Sequence, residues 1–140
     1  MTKQIFVNLP VRNLNESTEF YRKLGFSLNP SFSNESSSCM VWSDDILVML
    51  LKHDFYQSYI AEKEVADTKR TSGVLLCLSM ESREAVENFA QTAKQNGGDF
   101  YMVESGVPTD KMFGLEVQDL DGHNWEPMWI SPDVSISSEE

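Results

Sequence analysis

Two histidines, two cysteines and an acidic stretch near the C-terminus are the residues through which this chain could do chemistry. His123-x-x-Glu126 follows Asp119-Leu120-Asp121-Gly122 and has the spacing of a ligand pair. Three-residue spacing puts two side chains on one face of a helix but on opposite faces of a strand. His-Asn-Trp-Glu-Pro-Met-Trp-Ile reads as a strand, so His123 and Glu126 are not expected to hold one ion together. Any metal would have to combine Glu126 with ligands from distant strands, and a His/Cys zinc site would need nearly all of Cys39, Cys77, His53 and His123 at once. The ring of His123 is expected to hold the adjoining turn by a hydrogen bond. Asp119-Leu120-Asp121-Gly122 lacks the further positions and distal Glu of a calcium loop and reads as a tight turn. Both cysteines lie in apolar, strand-like segments without a Cys-x-x-Cys pair, the pattern of buried, reduced thiols. Cys77 on a pocket wall as a reactive thiol is the sharper alternative, but no neighbouring cation in sequence would lower its pKa.

The elements that must position these groups follow from periodicity. Ile5–Val11 reads as a strand, and Asn13 or Asn15 caps a helix whose buried stripe is Phe20, Tyr21 and Leu24, with Gly25 as its stop. Three extended segments follow, around 26–28, 38–43 and 46–51. Residues 53–72 break the rhythm as a short helix and a linker. A second strand, 73–80, leads to Ser82 as a cap and a helix burying Val86, Phe89, Ala90 and Ala93, the i, i+3, i+4, i+7 signature. Gly97-Gly98 ends it, and extended segments at 99–103, 112–118 and 123–130 complete the pattern. Trp125 and Trp129 alternate away from Asn124, Glu126 and Met128, which places the tryptophans beneath the helices.

The chain has 140 residues and a formal charge of −11, with eleven basic and twenty-two acidic side chains. That length suits one domain whose core needs no disulfide or metal staple. The negative field disfavours nucleic acid and anionic membrane surfaces as partners. The longest apolar run, Ile46–Leu51, is far below the ~20 residues of a bilayer span, and the N-terminus lacks an apolar signal core. A cytoplasmic setting is expected.

Strand, helix, glycine stop and three strands occur twice, which implies an internal duplication. The fold class is therefore α+β: two tandem βαβββ modules forming a cupped, mostly antiparallel sheet with helices outside. Module 1 covers about 4–52, the linker about 53–72 and module 2 about 73–130, together one domain over 1–130. Residues 131–140 read as a flexible acidic tail. Each helix covers one face of its sheet, and the uncovered faces are expected to enclose a cavity. Strand alternation decides which side chains look into it.

Val-Asn-Leu-Pro-Val-Arg-Asn-Leu with Ser17, Phe20-Tyr21 and Leu24-Gly25-Phe26, then Leu78-Ser79 and the helix from Ser82, then Asp119–Glu126, resemble the vicinal oxygen chelate superfamily. That group comprises glyoxalases, bleomycin-resistance proteins and extradiol dioxygenases, and the likeness is closest to bacterial lactoylglutathione lyase-like proteins. The resemblance implies a divalent ion held by one residue from the first and fourth strands of each module. Glu126 matches the final ligand. The other positions fall at Phe6, within 46–51 where Met49 is the best donor, and near Leu75, so the metal site looks degenerate. With their face neighbours Asn8 and Cys77, the resemblance implies a cavity lined by Phe6, Asn8, Met49, Leu75, Cys77 and Glu126, with Trp42, Met112 and Met128 as adaptable additions or as ordinary core.

The expected function is binding of a small hydrophobic or cationic molecule, with no cofactor. The alternative is a lactoylglutathione lyase-type enzyme that uses a non-standard site for Zn, Ni, Mn or Fe, or Glu126 as a general base. A carboxylate in a hydrophobic cup is suited to the latter task. The resemblance further implies a homodimer, with or without exchanged modules. An interaction protein whose cup is filled by side chains is the third possibility.

Overall fold

Asn13, two residues past the end of the first strand, caps the first helix. Its side-chain oxygen accepts the Glu16 N–H at 3.0 Å, satisfying one of the orphan donors of the first turn. A computed structural model of the chain describes residues 3–137. In it β1 (Ile5–Val11) leads through Asn13 into α1 (Leu14–Lys23). Gly25, at φ +110°, closes that helix. The Gly25 N–H donates to the Arg22 carbonyl and the Phe26 N–H to that of Tyr21, each at 3.0 Å, the paired bonds that a left-handed residue permits.

Two compact units result. One takes the chain through Thr71 together with Leu120–His123; the other takes Ser72–Asp119 and the chain from Asn124 onward. In the first, β2 (Ser27–Asn29), a 3₁₀ turn at Pro30–Phe32, β3 (Ser37–Ser43) and β4 (Ile46–Lys52) follow α1, and α2 (His53–Gln57) follows β4. The sheet order is β1-β4-β3-β2, with β1 parallel to β4 and the other pairs antiparallel. Val11, Met40, Val48 and Leu50 are fully buried on the face that α1 covers with Phe20 and Tyr21. An edge-on aromatic series, Phe20–Tyr21–Phe26, runs through this core with centroids 5.5 and 5.2 Å apart.

The second unit repeats the pattern. β5 (Leu75–Ser79) is followed by α3 (Arg83–Gln95), whose cap Ser82 accepts the Ala85 N–H at 3.0 Å. β6 (Asp99–Tyr101), β7 (Met112–Gly114), β8 (Glu116–Gln118) and β9 (Asn124–Ile130) complete it. The order is β5-β9-β8-β6, with β7 also on β9, and β5 is again parallel to the last strand. Both units thus put their first strand alongside their fourth, as a duplicated βαβββ module requires. Val86, Phe89, Ala90 and Ala93 of α3 are buried, as are Leu78, Phe113, Val117 and Trp125 of the sheet. Each large apolar side chain withdrawn from water contributes about 1.5–3 kcal/mol.

One expected strand is divided. Residues 112–118 keep a single register against β9, from Met112↔Ile130 to Gln118↔Asn124, but the ladder breaks at Leu115. The Leu115 N–H donates to the Pro127 carbonyl at 3.3 Å, and proline has no N–H to return. Cys77 is a second correction: it is exposed, whereas Cys39 is buried as expected. The start of the tail makes two contacts with the segment before β7. The Ser131 N–H donates to the Lys111 carbonyl at 2.8 Å and Lys111 pairs with Asp133. Residues 138–140 of that tail lie outside the described residues. No helix among the described residues is long and apolar enough to cross a membrane.

The turn ahead of β9 belongs to the first unit and is held there by name. Asp121 Oδ1 accepts the Arg12 N–H at 2.9 Å, and the Thr68 hydroxyl donates to the Asp121 carbonyl at 2.7 Å. His123 Nε2 lies 2.7 Å from the Pro10 carbonyl, the turn-holding ring contact that its position suggested. Gly122 has φ +85°, and a Cβ there would come within 2.6 Å of the Thr68 carbonyl oxygen. Asp121→Ala is expected to cost about 2 kcal/mol, the worth of a buried charge-assisted bond. Gly122→Ala should cost more, since it adds collision to backbone strain. Urea denaturation of both variants checks the order.

Candidate functional site

The residues nominated from the sequence fall on the sheet faces opposite α1 and α3. In the first sheet Asn8 pairs with Met49, and Met49 with Cys39. Phe6 and Asn8 are exposed, Met49 is half-buried, and Cys39 is buried. The Asn8 amide donates to the Phe6 carbonyl at 3.3 Å. In the second sheet Leu75 pairs with Asn124, Cys77 with Glu126 and Ser79 with Met128. Since opposed residues share a face, Leu75, Cys77, Glu126 and Met128 form one surface, away from α3.

That surface carries a residue which the sequence reading missed. Val117 pairs with Trp125, and one step further along the same register sets Glu116 opposite Glu126. Tyr101 of β6 pairs with Glu116 on the other side. Two carboxylates therefore stand side by side across β8 and β9, with Cys77 flanking Glu126. Hairpin arithmetic from the Asp119–Gly122 turn would have found Glu116, because the side-chain period of a strand is two.

The electrostatic consequences fall on Glu116 and Cys77. Partial burial pushes the Glu116 carboxyl up to about 7, reinforced by its hydrogen bond to Glu126 and the repulsion between the two. The Cys77 thiol is pushed up to about 11, first by desolvation and then by the Glu126 carboxylate. Cys77 is accordingly exposed without being activated. A thiolate beside carboxylates is the reverse of the cationic setting that makes a cysteine nucleophilic.

A cavity of about 360 Å³ opens on this sheet, lined by Glu126, Met112, Phe113, Gly114 and Met128, and by the loop 102–109. This volume is within the range of small-molecule sites. Gly114 makes the space: a Cβ there would stand 3.3 Å from Glu126 Cγ and 3.2 Å from the Pro127 carbonyl oxygen. A larger depression of about 670 Å³ lies on the first unit, lined by Arg12, Asn13, Asn34, Ser38 and Lys52 among others. Several of its polar groups are already engaged with neighbouring protein atoms. Asn13 caps α1, Asn34 accepts from Ser36 and Ser37, and the Thr18 and Ser38 hydroxyls bond each other at 2.7 Å. The smaller cavity holds Glu126, one of the nominated residues, and is the better candidate.

The positions at which a divalent ion would be held do not fit one. Phe6 and Leu75 have no donor atom and Met49 has only a thioether, while zinc or nickel requires several N, O or thiolate ligands. Among the described residues no group of three or more His, Cys, Asp and Glu side chains is arranged to hold a metal.

Comparison with known proteins agrees with the topology. The family model described as Glyoxalase/Bleomycin resistance protein/Dioxygenase superfamily matches residues 3–126. No curated protein matches. Among solved structures, a hypothetical protein, SA1046, from S. aureus is 23% identical with a TM-score of 0.72, over 92% of this chain and 94% of that one. A glyoxalase/bleomycin resistance protein/dioxygenase family enzyme from Burkholderia phytofirmans PsJN is 14% identical with a TM-score of 0.74, over 93% and 100%. A bleomycin-binding protein complexed with bleomycin is 17% identical with a TM-score of 0.61, over 93% and 100%. At these identities the likeness is one of fold.

Two outcomes follow from the carboxylate pair. Glu116 retains its proton in the folded state to higher pH than in the unfolded chain. Its contribution to stability is present in full below its ordinary range near 4.5 and is lost as pH rises through about 7. Wild type should therefore lose about 1 kcal/mol, after solvent screening, between pH 5 and pH 8 relative to Glu116→Gln in urea denaturation. Glu126→Gln should raise the rate of Cys77 alkylation by iodoacetamide at pH 8 several-fold, because it removes the charge that disfavours the thiolate. Mass spectrometry of the labelled peptide reads that rate.

Proposed function

This chain belongs to the Glyoxalase/Bleomycin resistance protein/Dioxygenase superfamily, and on that premise we propose that it binds a small hydrophobic or cationic molecule on the open face of its second sheet. The observation that carries this reading is the cavity of about 360 Å³ that places Glu126 among Met112, Phe113 and Met128. An apolar wall with a few fixed polar points is the usual composition of a small-molecule site. The bleomycin-binding relative supports the reading as a fold that accommodates a ligand without needing this chain's chemistry to match. The protein works without a resident metal in this reading, because Phe6, Met49 and Leu75 cannot complete a ligand set with Glu126. It acts in the cytoplasm, as a homodimer.

A second reading is favoured by the Glu116–Glu126 pair. Two adjacent carboxyl groups, of which Glu116 holds its proton to higher pH than usual, are an arrangement from which acid–base catalysis is built. Glu126 would then serve as general base in a metal-independent isomerase-type or lyase-type reaction.

Ligand-observed NMR with a set of small apolar and basic fragments tests the first reading. Binding is expected in wild type and should be lost in Met128→Trp, whose larger side chain fills the cavity. Fragments that bind the variant as well as wild type would place their site elsewhere. Elemental analysis of protein purified without chelator should give well under one equivalent of Zn, Ni, Mn or Fe; a full equivalent would overturn the metal-free reading.

A further inference from the structure

The rim of the cavity carries a second feature that points to the nature of its occupant. Met102 and Val103 are more than half exposed, at 58% and 54%, and Val107 is 41% exposed. All three belong to the loop that lines the cavity beside Glu126. Contiguous apolar side chains left in water around a concavity mark a surface that something else covers. On the floor, Gly114 supplies no side chain, and the space thereby left free lies against Glu126 Cγ and Oε2. Glu116 stands next to Glu126 across the β8–β9 register. No Lys, Arg or His is among the residues that line the cavity. Glu126 and Glu104 are the carboxylates of the lining itself and have no cationic partner from it, Glu116 lies beside Glu126 just outside it, and the lip carries Met102, Val103 and Val107 together with Ser105 and Thr109.

We propose that the occupant is an amphiphilic organic ammonium, a molecule whose protonated primary or secondary amine lies between Glu126 and Glu116 while its apolar body rests on Met102, Val103, Met112 and Met128. The inference rests on the reading of this face as a ligand site and goes beyond it by fixing the ligand's charge and shape. An N–H donor can bond to carboxylate oxygens on both strands at once, and charge-assisted bonds of this kind are shorter and stronger than neutral ones. A permanent cation without N–H groups would gain attraction only. A carboxylate at the same end would be repelled, and an alcohol would bring no positive charge to offset that of the pair. The apolar body accounts for the lip, since burying its methylene groups against the exposed methionine and valine surface withdraws apolar area from water. Methionine is suited to the task because its unbranched side chain adapts to differing shapes.

Isothermal titration of the full chain at pH 7.5 with four octyl compounds tests this. The expected order is octylammonium, octyltrimethylammonium, 1-octanol and octanoate, with octylammonium at least about tenfold tighter than octanol. Glu116→Gln and Glu126→Gln should each reduce that preference by about tenfold, and Val103→Ser should weaken the ammonium and the alcohol alike. Octanol or octanoate binding as tightly as octylammonium overturns the inference, and so does a preference that survives in both glutamine variants. If those compounds bind equally and Met128→Trp abolishes them all, the ligand site stands and only its proposed charge preference falls. If none of the four binds wild type, both readings fall together. Should either glutamine variant fail to fold, the order among the four compounds on wild type still decides.

Discussion

The second sheet depends on the pairing of Val117 with Trp125 beneath α3. Both side chains are almost wholly buried, and they are directly opposed across β8 and β9. A strand presents alternate residues to alternate faces, so this one buried pair dictates where every neighbour points. Glu116 and Glu126 are forced to the other face, and the parallel pairing of β5 brings Cys77 beside them. A slip of one residue would put Trp125 into water and two acids into the core, an exchange that costs far more than a local adjustment could recover. The position of the carboxylates is thus a by-product of apolar packing on the opposite side.

Two departures from regular strand chemistry shape the surroundings of Glu126. Pro127 withholds a ladder hydrogen bond and divides the strand opposite it at Leu115. Gly114, two residues from Glu116 on the same face, leaves open the volume that a side chain would occupy against the Glu126 carboxylate. Glycine and proline within strands commonly mark such close approaches and interruptions. Here they fall on either side of one acid and produce a concavity where a flat sheet would otherwise have been.

The two modules share a topology but have diverged in chemistry. In the first, Cys39 and Ser37 of the face opposite α1 are buried, and the polar groups around the start of α1 are satisfied by one another. In the second, the equivalent face holds two carboxylates and an exposed thiol. Membership of the superfamily establishes the architecture common to both, whereas chemistry resides in the particular side chains that each face retains.

Local pattern determined much of this protein. The caps Asn13 and Ser82, the left-handed Gly25, the helical stripe from Val86 to Ala93 and the repeated order of elements are all properties of short windows, because capping, backbone freedom and helical periodicity act over a few residues. The face on which Glu126 lies was legible for the same reason. What sequence did not disclose is which strand lies next to which residue. Glu116 gains its importance from the β8–β9 register, Cys77 is exposed because no described residue covers that part of β5, and the concavity keeps its volume because Gly114 faces Glu126. Those are relations between segments far apart in the chain. They are decided by which apolar surfaces pack together, a choice made by the whole fold and not by any window within it.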